Sequence, residues 1–424
     1  LVLLGIDGLD YLRVLPESDI QKSLIQQISD RLKTAVEHTI DLQVGGTMDF
    51  GGIEDQVQAA EGGTFVARTS AGEFAVVFQP VQSCDPVGLA KAFCRRLSGG
   101  FEVYGRSHYI DAYCGVVTDL AGQSSAQVSL GAARIALSRA RSKSASDRQA
   151  LFDESLTEKM KRDVDIESDF QHALETRALQ VYYQPIVNAV DEHIVAAEAL
   201  LRWRHPEHGW INPERMVAIA EARGIMHRLT MHVLSVACEQ HAAWKAEGLV
   251  VNMSVNVSAS EFEHPRFVEH VLDVVDTYGM DAERLQLEIT ERVVMENPEQ
   301  AFSIIDRLRQ REIRLALDDF GVGYSSLSYL MKLRPDTLKI DRSFVMSAMK
   351  DEVAATVLES IVAMALRLGV RLVAEGIETE EDRDYLRRLG AHSLQGYFYG
   401  KAVDAASFGE NLATDYDARK QKKR

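Results

Sequence analysis

The sequence predicts an α/β protein whose C-terminal part is a (β/α)8-type barrel, preceded by a smaller α+β unit. Three observations carry this expectation. Eight strand-like segments recur after about residue 165, most of them separated by helical patterns. Before that point the rhythm is different, with short strands, one hairpin and amphipathic helices in mixed order. Finally, seven of the eight later segments end in a charged or amide side chain, as the strands of such a barrel do where their loops leave.

A chain of 424 residues is too long for one ordinary core and calls for two or three domains. With 46% hydrophobic and 26% charged residues it is globular in composition. A formal charge of -16 argues against a DNA or RNA surface, because phosphate backbones recruit basic grooves. A small anionic ligand stays open if metal ions or a few placed arginines meet its charge. Cys84, Cys94, Cys114 and Cys238 have neither CxxC spacing nor the density of a secreted scaffold, so they read as reduced core residues of a cytoplasmic protein. No apolar run reaches the roughly 18 residues of a membrane span. The chain opens inside a strand-like run at Leu1, which suggests a fragment of a longer protein with a sensory or membrane region upstream, such as the cytoplasmic part of an inner-membrane protein.

Residues 1 to about 145 read as a small α+β sandwich. "LVLLGI" is a strand, "SDIQKSLIQQISDRLKTAV" has helical spacing, and "TFVARTSAGEFAVVF" is two strands around a tight turn. A helix near 86 to 97, the strand "YIDAYCGVV" and the helix "SLGAARIALSRARSK" follow. The polar run from about 142 to 165 reads as a helical connector, with residues 146 to 165 assigned to it. From 166 to 424 the eight strands are "LQVYYQPIV", "HIVAAEAL", "MSVNVS", "RLQLEIT", "IRLALDDF", "TLKID", "RLVAEGI" and "HSLQGYFYG". An open doubly wound sheet is the alternative, but it would not need eight.

The strand ends carry Glu198, Asn256, Glu288, Asp318 with Asp319, Lys339, Glu375 and Gln395. Any one of these alone is a solvated strand end or an ion pair. Five carboxylates, two carboxamides and a lysine at equivalent places are something else, because carboxylates gathered in one mouth repel until protons or cations relieve them. An oxygen-rich donor set without histidine or cysteine favours Mg²⁺ or Mn²⁺ over Zn²⁺. In "IRLALDDFGVGYSSL" adjacent aspartates would fall on opposite faces of a continuing pleat, so both reach the mouth only if the strand stops, with Gly321 and Gly323 turning the backbone. One carboxylate then bridges two cations, and cations about 3.5–4 Å apart suit in-line displacement at a phosphodiester.

From about 166 to 410 the chain resembles the EAL domain, the metal-dependent cyclic di-GMP phosphodiesterase of bacterial signalling. The matching blocks are "YYQPIV", "EALLRWRHPEHG", "SVNVSASEF", "LEITE", "DDFGVGYSSLSYL", "LKIDRSF", "VAEGIETEED" and "LQGYFYGKA", in order. The resemblance implies a barrel in which one strand runs against the others, and hydrolysis of cyclic di-GMP to pGpG. It implies two cations per site, Mg²⁺ or Mn²⁺, the first on Glu198, Asn256, Glu288 and Asp318, the second sharing Asp318 and adding Asp319 and Glu375. Lys339 would meet the attacking water or the phosphate, and Glu291 would hold the loop that starts at Phe320. Gln184, Leu201, Arg202 and Gln395 match positions that contact substrate, and an arginine suits a phosphate oxygen. A homodimer, through this domain or the preceding one, is also implied. Two departures stand out: Val322 where threonine is frequent, and Ala402 where proline often follows "GK" or "GR". Neither removes a ligand, so altered rate or regulation is expected rather than loss of activity.

Residues 1 to about 145 are similar to the GGDEF domain, whose intact form makes cyclic di-GMP from GTP, but the signature reads Ser70-Ala71-Gly72-Glu73-Phe74. Two glycines of the turn are replaced, and Gly72 stands where a metal-binding carboxylate belongs. Asp7 could still hold a cation, yet Leu15 replaces a guanine-reading asparagine, and Glu61 and Thr64 replace the inhibitory RxxD. A regulatory or dimerisation module without cyclase activity is expected, with Glu73 a turn carboxylate.

Smaller signals have plainer readings. His205 and His208 have HxxH spacing, but Pro206 and Gly209 make a loop in which solvated or locally bonded histidines are expected. Of Tyr182 and Tyr183, alternation lets one face the pocket. The terminal "RKQKKR" reads as a solvated or disordered tail. Three rivals to the phosphodiesterase remain. A receptor that binds without cutting would be expected to lack a ligand or the lysine, a glycosidase needs two carboxylates but neither lysine nor asparagine, and a cyclase is opposed by the altered turn.

Overall fold

The computed structural model describes residues 1–8, 19–40, 65–70, 72–78, 85–103, 105–118, 125–142, 148–262, 264–320 and 332–422. They form two compact units, Leu1–Asp165 and Ile166–Arg424. Among the described residues no helix is long and apolar enough to cross a membrane.

In the first unit, strands β1 (Val2–Asp7), β2 (Phe65–Ser70), β3 (Glu73–Val77), β4 (Gly99–Val103) and β5 (Arg106–Val116) form a sheet of order β2-β3-β1-β5-β4. The run at β1 is apolar at consecutive positions because both its faces are covered. Leu4 and Ile6 meet Leu24 and Ile28 of α1 (Asp19–Ile40) and Phe93 of α2 (Pro86–Leu97), whereas Leu3 meets Ala133 and Leu137 of α3 (Ala126–Arg141). Side-chain caps start the last two helices, Asp85 accepting from the Val87 N–H and Ser125 from the Val128 N–H. Cys94 and Cys114 are buried free thiols of this core, and Cys238 is a buried free thiol of the second unit. Cys84, Leu15, Glu61, Thr64 and Ala71 lie outside the described residues.

The connector differs from expectation at one point. Gln149–Leu151 form a strand, β6, that pairs in parallel with β5 at Cys114–Val116. Helix α4 starts only at Glu154 and runs to Glu175. A three-residue strand inside a polar run is too short for periodicity to register; it exists because β5 is long enough to offer that partner.

The second unit contains all eight expected strands: β7 (Gln180–Asn188), β8 (Ile194–His205), then, after the short β9 (Gly209–Ile211), β10 (Asn252–Asn256), β11 (Leu285–Thr290), β12 (Arg314–Phe320), β13 (Thr337–Ile340), β14 (Arg371–Ala374) and β15 (Ser393–Gln395). Neighbours from β10 to β15 are parallel, β7 is antiparallel to both β15 and β8, and β8 pairs with β10, so the sheet closes into a barrel. The helices are α5 (Pro213–Ala222), α6 (Met226–Ala246), α7 (Ala259–Phe262), α8 (Phe267–Tyr278), α9 (Glu291–Glu296), α10 (Pro298–Arg309), α11 (Arg342–Ala348), α12 (Glu352–Leu368), α13 (Glu380–Leu389) and α14 (Ala405–Lys422). The last runs through most of the basic tail, so that tail is helical to Lys422 rather than disordered; cations at a helix C-terminus suit the helix dipole.

Alternation along β7 sorts the tyrosine pair. Tyr183 is fully buried against Trp244 and Phe408, with its backbone exchanging hydrogen bonds with Val403, whereas Tyr182 meets the edge of Trp210. His205 ends β8, is buried, bonds Asp169 and accepts the N–H groups of Glu207 and His208. It is thus locally bonded, and the hairpin to β9 explains the Pro and Gly around it.

Gly396, just past β15, lies against the backbone of Ile377: a Cβ there would come within 2.1 Å of the Ile377 carbonyl oxygen and 2.2 Å of its nitrogen. The same two segments exchange hydrogen bonds, Ile377 N–H to Gln395 O and Phe398 N–H to Ile377 O, both at 3.0 Å. Gly396→Ala is therefore expected to destabilise the protein by about 3 kcal/mol, the upper part of the usual overpacking range, in a urea melt. A loss under about 0.5 kcal/mol would show that the two segments separate freely.

Candidate metal centre at the barrel mouth

Four carboxylates from different strands or strand ends converge on one buried ammonium. Lys339, the third residue of β13, is 1% exposed. Its Nζ lies 2.6 Å from Glu288 Oε2 and 2.6 Å from Glu375 Oε1, with Glu198 Oε2 at 3.6 Å and Asp318 Oδ1 at 3.7 Å. Strand register explains the convergence. Glu288 on β11 is level with Asn256 on β10, Ser254 on β10 is level with Glu198 on β8, and Glu198 in turn is level with Gln184 on the antiparallel β7. Two amides hold Glu198, the Asn256 Nδ2 donating to Oε1 at 2.7 Å and the Gln395 Nε2 to Oε2 at 2.5 Å. Glu198 is not at a strand end, since β8 continues to His205 past the last pairing with β10 at Ala199.

The paired aspartates are solved differently from the expected strand stop. β12 continues through Phe320 with a bulge: Leu317 pairs with Leu338 and Phe320 with Ile340, so three steps on β12 face two on β13. Asp319 takes up the extra residue with φ 53°, a left-handed conformation that aspartate tolerates better than most residues, and its N–H donates to Asp318 Oδ1 at 2.9 Å. Gly321, Val322 and Gly323 lie outside the described residues, as does the loop that Glu291 was expected to hold. Glu291 itself opens α9 directly behind β11.

Electrostatics separate the carboxyls. Burial works to raise Glu198, but Lys339 and the amides of Gln395 and Asn256 outweigh it and hold the group below its ordinary range. Glu288 is pushed well up by burial and by Glu198 and Asp318, against the pull of Lys339. Glu375 is pushed up to about 7 by burial, with Asp318 and Glu198 opposing the pull of Lys339. Partial burial, Asp318 and Asp341 raise Asp319. Lys339 is raised well above its ordinary value, the surrounding carboxylates outweighing its own desolvation.

One ammonium cannot balance five carboxylates. Glu288 Oε1 is fully buried and has no hydrogen-bond partner among the described residues, a costly state for a carboxylate oxygen. With Asn256 Nδ2 committed to Glu198, its Oδ1 remains as a neutral oxygen donor. The orphaned oxygen and the oxygen-only donor set fit divalent cations of the Mg²⁺ or Mn²⁺ type.

The expected substrate contacts are more scattered. Arg202 lies on the Glu198 face of β8 by alternation, half-buried, with Nη1 on the Leu201 carbonyl at 2.8 Å. The Leu201 side chain points the other way and packs on the hydrophobic clusters outside the mouth. Gln184 donates to Gly400 O at 3.2 Å. Gln395 is buried and spends its amide on Glu198, a positioning contact that strand-end counting did not distinguish from a substrate contact. In the first unit the candidate cation ligand Asp7 is taken by Arg141 at 2.8 Å, and the turn carboxylate Glu73 by Arg134 at 3.1 Å.

Comparison with known proteins gives the same frame. The model of the EAL domain matches residues 167–402. The chain is 32% identical over 350 residues to the bifunctional diguanylate cyclase/cyclic di-GMP phosphodiesterase MucR of Pseudomonas aeruginosa, covering 82% of this chain and 51% of that protein. It is 32% identical over 355 residues to the cyclic di-GMP phosphodiesterase NbdA of the same organism, covering 83% of this chain and 45% of that one. The chain thus spans about half the length of these curated relatives. Among solved structures, the PaMucR phosphodiesterase in complex with c-di-GMP is 37% identical, with a TM-score of 0.56, covering 57% of this chain and 99% of that one.

Cations and protons compete for these carboxylates, so affinity for Mn²⁺ is expected to rise with pH. A group titrating at about 7, as Glu375 does, gives about a tenfold gain between about pH 6 and about pH 8. Free Mn²⁺ counted by electron paramagnetic resonance measures it, and a flat profile would show that the carboxyls are not protonated near neutrality.

Proposed function

From the premise that this chain belongs to the EAL-domain family, we propose that it hydrolyses cyclic di-GMP to linear pGpG. The carrying observation is the set of carboxylates and the Asn256 amide held around Lys339 at one barrel mouth, with a buried Glu288 oxygen left over. Glu198, Asn256, Glu288 and Asp318 would hold one cation, and Asp318, Asp319 and Glu375 the other. Bound there, Mg²⁺ or Mn²⁺ supplies Lewis acidity toward the phosphate and lowers the pKa of water.

The chain's own groups do the rest. Gln395 and Asn256 fix the Glu198 carboxylate, so that no reorganisation is needed when substrate arrives. Lys339, whose ammonium form the surrounding carboxylates favour, stabilises charge that builds on the phosphate oxygens. Arg202 is suited to a non-reacting phosphate of the dinucleotide and Gln184 to a further polar contact, whereas Leu201 contributes through its carbonyl, which holds the Arg202 guanidinium. Glu291 would order the segment after Phe320. Working at neutral pH and binding cyclic di-GMP as a homodimer in the cytoplasm complete the reading.

The first unit is proposed to be a degenerate GGDEF-like module that regulates or dimerises. Its sheet and the β2–β3 hairpin around Gly72 support the likeness, and the arginines on Asp7 and Glu73 support the loss of cyclase chemistry. The match to MucR, which extends over 82% of this chain, also reaches beyond the barrel.

Incubation with cyclic di-GMP and Mg²⁺ or Mn²⁺, followed by chromatography, is expected to yield pGpG, with no product in excess EDTA. Ca²⁺, larger and more loosely coordinated, is expected to support binding without turnover. Lys339→Ala should lower turnover by about 10²–10³ while binding in Ca²⁺ survives. Binding without cleavage in any divalent metal would instead establish a receptor. In a separate assay, GTP and Mg²⁺ alone should give no cyclic di-GMP; product abolished by Glu73→Ala would restore the cyclase reading.

A further inference from the structure

Away from the carboxylates, three histidines converge where α6, α7 and α8 begin. His227 is in the first turn of α6, His264 lies between α7 and α8, and His270 is on α8. One ring nitrogen of each lies within 4.8 Å of those of the other two. His227 Nε2 is 2.7 Å from His270 Nδ1, and the rings of His227 and His264 are parallel with centroids 3.9 Å apart. His264 Nδ1 accepts the Arg266 N–H at 3.3 Å, so ligation through Nε2 requires the ring proton to move to Nδ1 and that contact to be given up.

Behind them, Glu261 on α7 is 1% exposed and takes His227 Nδ1 at 2.9 Å. That contact fixes the ring and presents Nε2 to His270. A carboxylate bonded to the far nitrogen of an imidazole is the arrangement that orients histidines bound to metal. The His227 and His270 nitrogens share one proton between them, and the His264 ring lies stacked on His227 with its nitrogens in a parallel plane. A cavity of about 500 Å³, lined by His227, His264, Glu261 and Glu221 among others, leaves room for a further ligand.

We propose that His227, His264 and His270 form a binding site for a divalent transition metal ion of the zinc class, with Glu261 orienting His227. Imidazole nitrogen selects Zn²⁺, Ni²⁺ or Cu²⁺ and is a poor ligand for Mg²⁺, whereas the barrel mouth offers oxygen alone. The two sites therefore take different metals. With nitrogens about 2.0–2.1 Å from zinc in a tetrahedral array, His227 and His270 need to part by less than about 1 Å, and the His264 ring has to turn out of its stack on His227, because an imidazole lone pair lies in the ring plane. The ion ties the starts of α6 and α8 to the segment that leaves β10 just after Asn256. It holds the wall of the barrel mouth from outside.

Metal-free protein dialysed against Zn²⁺ in excess Mg²⁺ tests this by counting bound zinc. Wild type should hold one equivalent more than His264→Ala or His270→Ala, and Glu288→Gln, which alters only the oxygen site, should keep that equivalent. Glu261→Gln should weaken zinc binding by about 10–100-fold. Co²⁺ gives the independent signature: intense visible absorption from a four-coordinate nitrogen site in wild type and Glu288→Gln, lost in His264→Ala. Circular dichroism and the metal-free melting temperature of His264→Ala should match wild type, since His264 is half-buried in a turn. Equal zinc content and equal Co²⁺ spectra in wild type and His264→Ala would overturn the proposal, as would the absence of stoichiometric zinc in wild type.

Discussion

The barrel mouth is organised around a charge imbalance. Lys339, buried in the middle of β13, is surrounded by Glu198, Glu288, Asp318 and Glu375, and its single ammonium leaves most of that negative charge uncompensated. Carboxylates brought together in this way resist burial unless something positive is supplied. The amides on Glu198, the raised Glu288 and Glu375, and the unpartnered Glu288 oxygen are all answers to the same constraint. Removing the lysine would take away the one internal counter-charge of these four carboxylates, leaving their balance to bound cations.

The scaffold meets this constraint with backbone geometry as much as with side chains. In a parallel strand only alternate residues face inward, which rations each strand to one group at the rim. β12 escapes the ration by bulging at Asp319, so that adjacent aspartates occupy the rim together. β7 escapes it by running the other way, which brings Gln184 level with Glu198 from the opposite chain direction. Both departures sit where the site needs density of ligands.

Much of this is legible in the amino-acid sequence. Eight strands follow from apolar runs bounded by helices, and polar residues ending apolar strands identify the mouth, because burying such groups is costly enough to leave a mark in the sequence. What is not legible has physical reasons. The bulge at Asp318 and Asp319 replaces an expected strand stop, since a left-handed φ at a non-glycine residue has no sequence signature comparable to glycine. The β6 strand at Gln149–Leu151 is too short for periodicity to reveal. The cluster of His227, His264 and His270 draws on residues up to 43 positions apart, as with His227 and His270, whereas the locally spaced His205 and His208, which catch the eye, are fixed by a hairpin and by Asp169. Sequence spacing reports one element at a time, and sites built across helices escape it.

The reversal of β7 also decides when the site can exist during folding. β7 and β8 form a local hairpin, a pairing that closes early because its loop is short. The other neighbour of β7 is β15, whose Gln395 reaches Glu198 across 197 residues of chain. Until that last seam closes, Glu198 lacks one of its two amides and the mouth has no floor on that side. A nascent or partly folded chain therefore presents its carboxylates dispersed along separate strands, and the set comes together only when the barrel is complete.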